Sequence, residues 1–141
     1  MFYRRSAILS AAAGLLMPAA ARAASPEDDV RTAYAAWDAA FNKGDPKALA
    51  DFYTEDAIFL PPSHEIIQRP AGIEKFFATL FASGVTGHKL ELAQANATDE
   101  IIVAAARWSA KAKGSPVGGF ATHEFTKQPN GALRIRLHTF N

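Results

Sequence analysis

Along the segment "SPEDDVRTAYAAWDAAFNKGD", apolar residues recur three or four positions apart, at Val30, Ala33, Tyr34, Trp37, Ala40 and Phe41, which predicts a long amphipathic helix. Ser25 is placed as its N-cap, Pro26 takes the first helical position, and acidic residues fill the first turn. Asp45 and Pro46 repeat that signal, so "PKALADFY" reads as a second, short helix with Leu49, Phe52 and Tyr53 on one side. A short strand "AIFL" follows, then the loop "PPSHE" and a returning strand "IIQ"; paired prolines cannot occupy a central ladder. Helical spacing returns in "AGIEKFFATLFASG", with Ile73, Phe76, Phe77 and Leu80 on one face and Gly84 at the end.

Beyond Gly84 the period changes to two. The runs "HKLELAQAN", "EIIVAAARWSAKAK", "GFATHEFTKQ" and "ALRIRLHTF" predict four strands, broken at Thr98-Asp99, across Gly114 to Gly119, and at Pro129-Asn130-Gly131. The order ααββαββββ is an α+β layout: three helices on a curved, mainly antiparallel sheet. A curved sheet closed by a long helix leaves a conical cavity, the kind of place where small molecules bind.

The start of the chain has a different composition. "MFYRR" is basic, "SAILSAAAGLLMPAAA" is apolar but short, and "ARA" precedes Ala24, so residues 1–23 are expected to be a signal peptide and 24–141 a single domain. Export to the periplasm or medium is the implied localisation, and Arg4-Arg5 resembles a twin-arginine signal. Without Arg4, Arg5 and Arg22 the 15 basic residues fall to 12 against 14 acidic ones, a net charge of −2. That balance gives no footprint for nucleic acid, and no second apolar span predicts a membrane after cleavage. The chain has no cysteine, which removes disulfides and thiolate chemistry.

"AWDAAFNKGDPKALADFYTEDAIFLPP", followed by "RPAGIEKFF", resembles the nuclear-transport-factor-2-like superfamily, in its SnoaL-like and ketosteroid-isomerase-like branches. The resemblance implies a cystatin-like cone. It covers nearly all of residues 24–141 and is carried by N-x-G-D between the helices, "FYTEDAIF" entering the first strand, and Gly72 in the third helix. Where the isomerases keep a tyrosine, an aspartate base and a carboxylic acid, matching positions here hold Trp37, Pro61 and His123. An enolising isomerase needs a carboxylate to move the proton, so steroid isomerisation by that route is not expected.

The same matching turns His123 toward the cavity, and His138 belongs to the same class; the two are the proposed proton carriers. Trp37, Tyr53, Phe59, Trp108 and Phe140 are expected to build an apolar wall. The last strand admits two readings. Periodicity alone buries Leu133, Ile135 and Leu137 and exposes Arg134 and Arg136; the resemblance turns Arg136, His138 and Phe140 inward. On the second reading Arg136 would anchor a carboxylate or enolate, and the leucine face would be an outer apolar patch suited to a homodimer. His64-Glu65 could form a lip over the mouth, but a solvated loop pair is the simpler reading. His64, His123 and His138 lack metal-ligand spacing, and no cofactor motif is present. The expected function is binding of a small apolar molecule bearing a carbonyl or carboxylate, without catalysis or with an unassigned activity; the alternative is a SnoaL-like acid–base enzyme of isomerase, cyclase or dehydratase type.

Overall fold

The computed structural model describes residues 23–141; the expected signal peptide lies almost wholly outside them. Helix α1 runs Pro26–Asn42, and Ser25 closes a capping box, its hydroxyl accepting from Asp28 N at 3.2 Å. Its stripe of Val30, Tyr34, Trp37 and Phe41 is buried. Asp45 caps α2, Pro46–Ala50, by accepting from Ala48 N at 2.9 Å. Then come β1 (Tyr53–Leu60), β2 (Ile67–Gln68), α3 (Arg69–Ala82), β3 (Val85–Ala97), β4 (Ile101–Ala112), β5 (Ser115–Lys127) and β6 (Leu133–Phe140).

One six-stranded sheet has the order β2-β1-β6-β5-β4-β3. The last four strands form the expected antiparallel meander, and β6 then returns to lie parallel to β1. The result is the α+β cone, with three helices lining the concave side of a curved sheet. Among the described residues no helix is long and apolar enough to cross a membrane.

The break expected across Gly114 to Gly119 is much shorter. Ala112 pairs with Ser115, so Lys113 and Gly114 alone make the turn, both with positive φ (50° and 83°), as a two-residue hairpin demands. Gly118 and Gly119 instead lie inside β5, where neighbouring backbone comes too close for a side chain: a Cβ on Gly118 would stand 2.6 Å from Trp108 O, and one on Gly119 would collide with Asn141 O.

β3 is a sheet edge, and α1 covers it. Asn42 donates to His88 O at 3.0 Å and accepts from His88 N at 2.8 Å, while Asp38 Oδ2 accepts from Leu90 N at 2.8 Å. The edge amides of alternate residues are thus satisfied by the helix, which blunts the edge against further pairing. This gives the asparagine of N-x-G-D a physical role.

Two of the sheet's register shifts decide which side chains of β3 and β6 reach the cavity. Between Thr86 and Lys89, β3 spends one residue more than β4, with Gly87 at φ 64°. Val85 faces inward before the bulge; after it His88, Leu90 and Leu92 do, whereas strict alternation would have pointed Lys89 inward. In β6, Phe125 pairs with Ile135 and Glu124 with Leu137, so Arg136 is the extra residue. Leu133 and Ile135 join the core ahead of the bulge, and His138 and Phe140 face the interior after it. Each sequence reading of the last strand therefore holds for half of it. The outer apolar patch of Leu133, Ile135 and Leu137 does not exist as such, because Ile135 is only 3% exposed.

Candidate functional site

The concave side encloses a cavity of about 90 Å³ between α1, α3 and the inner face of β3 to β6. Trp37 and Phe41 come from α1, Phe77 and Leu80 from α3, Val85, His88 and Leu90 from β3. Trp108 on β4, Val117 and Ala121 on β5, and His138 and Phe140 on β6 complete the wall. The rings meet mainly edge to face, as aromatic quadrupoles favour: Trp37 against Phe77 at 5.6 Å, Trp108 against Phe140 at 5.6 Å.

His88 and His138 are the titratable groups of this wall, and the sequence reading missed the first. His88 Nδ1 lies 2.7 Å from Asp38 Oδ1, with the two side chains only 9% and 16% exposed. Its ring is held between Phe41 (4.6 Å), Trp37 (4.9 Å) and, parallel to it, Trp108 (6.1 Å, 5°). A signal for Asp38 was present, since it stands four residues after Tyr34 and three before Phe41, at the border of the buried stripe. His88 had none, because Gly87 and the bulge that turns it inward break the alternation at the start of its strand.

His138 is 5% exposed, and its Nδ1 lies 2.8 Å from the hydroxyl of Tyr53, itself fully buried. Burial first, then the positive charges that His123 and His88 would carry, hold the His138 pKa well below the usual histidine value. Burial likewise pushes the Tyr53 phenol far up; the Trp37 N–H, turned toward Tyr53 but outside hydrogen-bonding geometry, pulls weakly the other way.

His123 lies one layer behind. Its Nδ1 is 2.9 Å from the Tyr34 hydroxyl, its Nε2 is buried without a partner, and its ring centroid stands 4.2 Å from that of His138. Burial, followed by the charge His88 would carry, lowers its pKa to about 3. It is not a cavity-wall residue.

Of the other expected site residues, Trp37, Trp108 and Phe140 line the cavity, while Tyr53 and Phe59 stand behind it, Phe59 stacked on Phe140 at 5.7 Å. Arg136 is placed otherwise. As the extra residue of the bulge it points to the outer face, where Nε and a terminal nitrogen contact Glu124 Oε1 at 2.7 and 2.6 Å. No lysine or arginine is among the described residues that line the cavity, so the anion anchor expected of Arg136 is absent from it. His64 and Glu65 are exposed in the loop after β1, outside the cavity wall.

An α+β cone with one long helix across a curved sheet and an apolar pocket between them defines the nuclear-transport-factor-2-like class of domains. The SnoaL-like domain model matches residues 33–135, and the chain belongs to that family. Among solved structures it is similar to an NTF-2-like protein of unknown function from Shewanella oneidensis, at 16% identity over 82% of this chain and 98% of that one, with a TM-score of 0.71. It is also similar to an NTF2-like protein with a cystatin-like fold from Novosphingobium aromaticivorans (18% identity, 81% and 79% covered, TM-score 0.68). A ketosteroid isomerase-like protein from Erwinia carotovora atroseptica matches at 15% identity over 79% of this chain and 91% of that one, TM-score 0.65. No curated protein matches the chain.

Proposed function

We propose that this SnoaL-like domain is an exported binder of a small, largely apolar molecule, held in the cavity between α1, α3 and the sheet. The cavity itself carries the reading: an aromatic wall on a preformed scaffold, interrupted by two imidazoles, has the composition of a small-molecule site. The pattern of residues 1–23 supports export. That no lysine or arginine among the described residues lines the cavity favours a neutral ligand, with a carbonyl rather than a carboxylate as its polar group. A homodimer through the outer sheet face would now rest on exposed Val103 and Phe120 rather than on the last strand.

Acid–base catalysis is the second reading, favoured by one observation: a carboxylate-held imidazole, Asp38–His88, faces an apolar cavity. His138 could share that role from the wall; His123 could act only through it.

Trp37 and Trp108 both line the cavity, so occupancy can be read from their fluorescence. Titration with small neutral ketones, and xenon as a purely apolar probe followed by methyl and indole NMR shifts, should give saturable changes at cavity residues. Absence of any saturable response to either would overturn the binding reading.

A further inference from the structure

The two histidines of the cavity wall differ in what holds them. Asp38 Oδ2 accepts from Leu90 N, and Oδ1 is left for His88 Nδ1 at 2.7 Å. A carboxylate only accepts, so the proton of that bond sits on His88 Nδ1. The neutral ring then carries its lone pair on Nε2.

At His138 the partner is a phenol. Tyr53 is fully buried, and His138 Nδ1, at 2.8 Å, is the acceptor within its reach. Were Nδ1 protonated, the Tyr53 O–H would be left as a buried donor with nothing to donate to, which carries the full desolvation penalty of that hydroxyl. Tyr53 therefore donates to Nδ1, and the His138 proton sits on Nε2.

We propose that His88 and His138 are fixed in opposite tautomers, so that the cavity offers one imidazole acceptor and one imidazole donor to a small neutral ligand carrying both a carbonyl and a neighbouring O–H or N–H. This rests on the pocket reading above and deepens it by naming the ligand class. The carbonyl oxygen accepts from His138 Nε2–H, the hydroxyl or amide hydrogen goes to His88 Nε2, and the aromatic wall covers the carbon skeleton. Size follows from volume: about 90 Å³ is well short of the roughly 150 Å³ cavity that holds benzene with its six carbons, which favours a ligand of about four or five heavy atoms. Asp38 itself is not among the residues that line the cavity, and its two oxygens face Leu90 N and His88 Nδ1.

The tautomers can be read directly from long-range proton–nitrogen NMR of histidine-labelled protein at pH 8. His88 should show a protonated Nδ1 and a bare Nε2, His138 the reverse. Hydroxyacetone, with five heavy atoms, should shift both Nε2 signals and bind about fivefold tighter than acetone, which lacks the donor. Tyr53→Phe should remove most of that preference; if this variant does not fold, the tautomers of the native protein and the hydroxyacetone-to-acetone ratio decide alone. The same tautomer at both histidines, or equal affinity for the two probes, would overturn the proposal. Xenon binding separates the failures: if it persists, the apolar pocket stands and only the donor–acceptor pairing falls.

Discussion

His123 and His138 face each other as directly paired residues of β5 and β6, with ring centroids 4.2 Å apart and both rings buried. Each ring is buried against a tyrosine hydroxyl rather than a carboxylate, and two imidazolium ions so close would also repel, so the fold favours both rings neutral.

That preference makes stability depend on pH. The His123 pKa is lowered to about 3 and that of His138 well below the ordinary value, while in the unfolded chain both titrate near 6.5. Below about pH 6.5 the unfolded state binds more protons than the folded one, so stability is full above that pH and is lost as pH falls toward the folded values. The slope approaches about 1.4 kcal/mol per pH unit for each histidine. Urea unfolding at pH 7.5, 6.0 and 5.0 should show a progressive fall. His123→Gln, which removes one titrating group, should shallow it by about half; an unchanged slope would show that these rings do not govern the acid limb.

The second prediction concerns the sheet edge. Asn42→Ala removes both bonds to the backbone of His88, and because the site is exposed, water replaces them in part. A cost of about 1 kcal/mol is expected. Amide exchange at His88 should quicken by more than at the β4–β5 pairs, because Asn42 is what shields that edge amide. Uniform acceleration across the sheet would instead mean that only global stability had changed.

Helices α1 and α3, the four long strands and the cone were legible in the sequence, because Val30, Tyr34, Trp37 and Phe41 keep one period and Ile102, Ala104, Ala106 and Ala110 keep another; the second helix stops at Ala50, and Tyr53, read as helical, opens β1. The site was legible only in part. Trp37 and Trp108 sit on unbroken stretches of pattern and were found, and Phe140, beyond the bulge of the last strand, was reached only through the family resemblance; His88 lies just beyond a bulge, and Arg136 is a bulge. A single extra residue reverses every later side chain on a strand, and nothing in period-two reading records where it occurs. Asp38–His88 and Tyr53–His138 are also long-range pairs, joined only when α1 meets β3 and β1 meets β6.

Arg136 and Ala121 separate the cavity from the outer face. Arg136→Ala breaks the pair with Glu124 outside the cavity and should leave affinity for a small ketone within about twofold. Ala121→Leu projects three more carbons from a wall residue that is 3% exposed into about 90 Å³ of space, and should reduce binding at least tenfold. Tryptophan fluorescence titration of the two variants checks both expectations. Loss of binding in Arg136→Ala would return that arginine to the site.

The two glycine environments in the sheet should respond to alanine for different reasons. At Gly118 a Cβ would stand 2.6 Å from Trp108 O, so β4 and β5 must part, and a loss of about 1–3 kcal/mol is expected from sterics. At Gly87 no atom lies within 4 Å of the added carbon, but φ is 64°, so the cost of about 1–2 kcal/mol comes from the left-handed backbone alone. Asparagine tolerates that backbone better than alanine, whereas at Gly118 its larger side chain is worse. Thermal unfolding should therefore rank Gly87→Asn above Gly87→Ala, and Gly118→Ala above Gly118→Asn. Because Gly87 sets the bulge that aims His88, its alanine variant should also disturb the His88 ring signals, which Gly118→Ala should leave in place. The same order at both positions would mean that one mechanism, rather than two, limits both glycines.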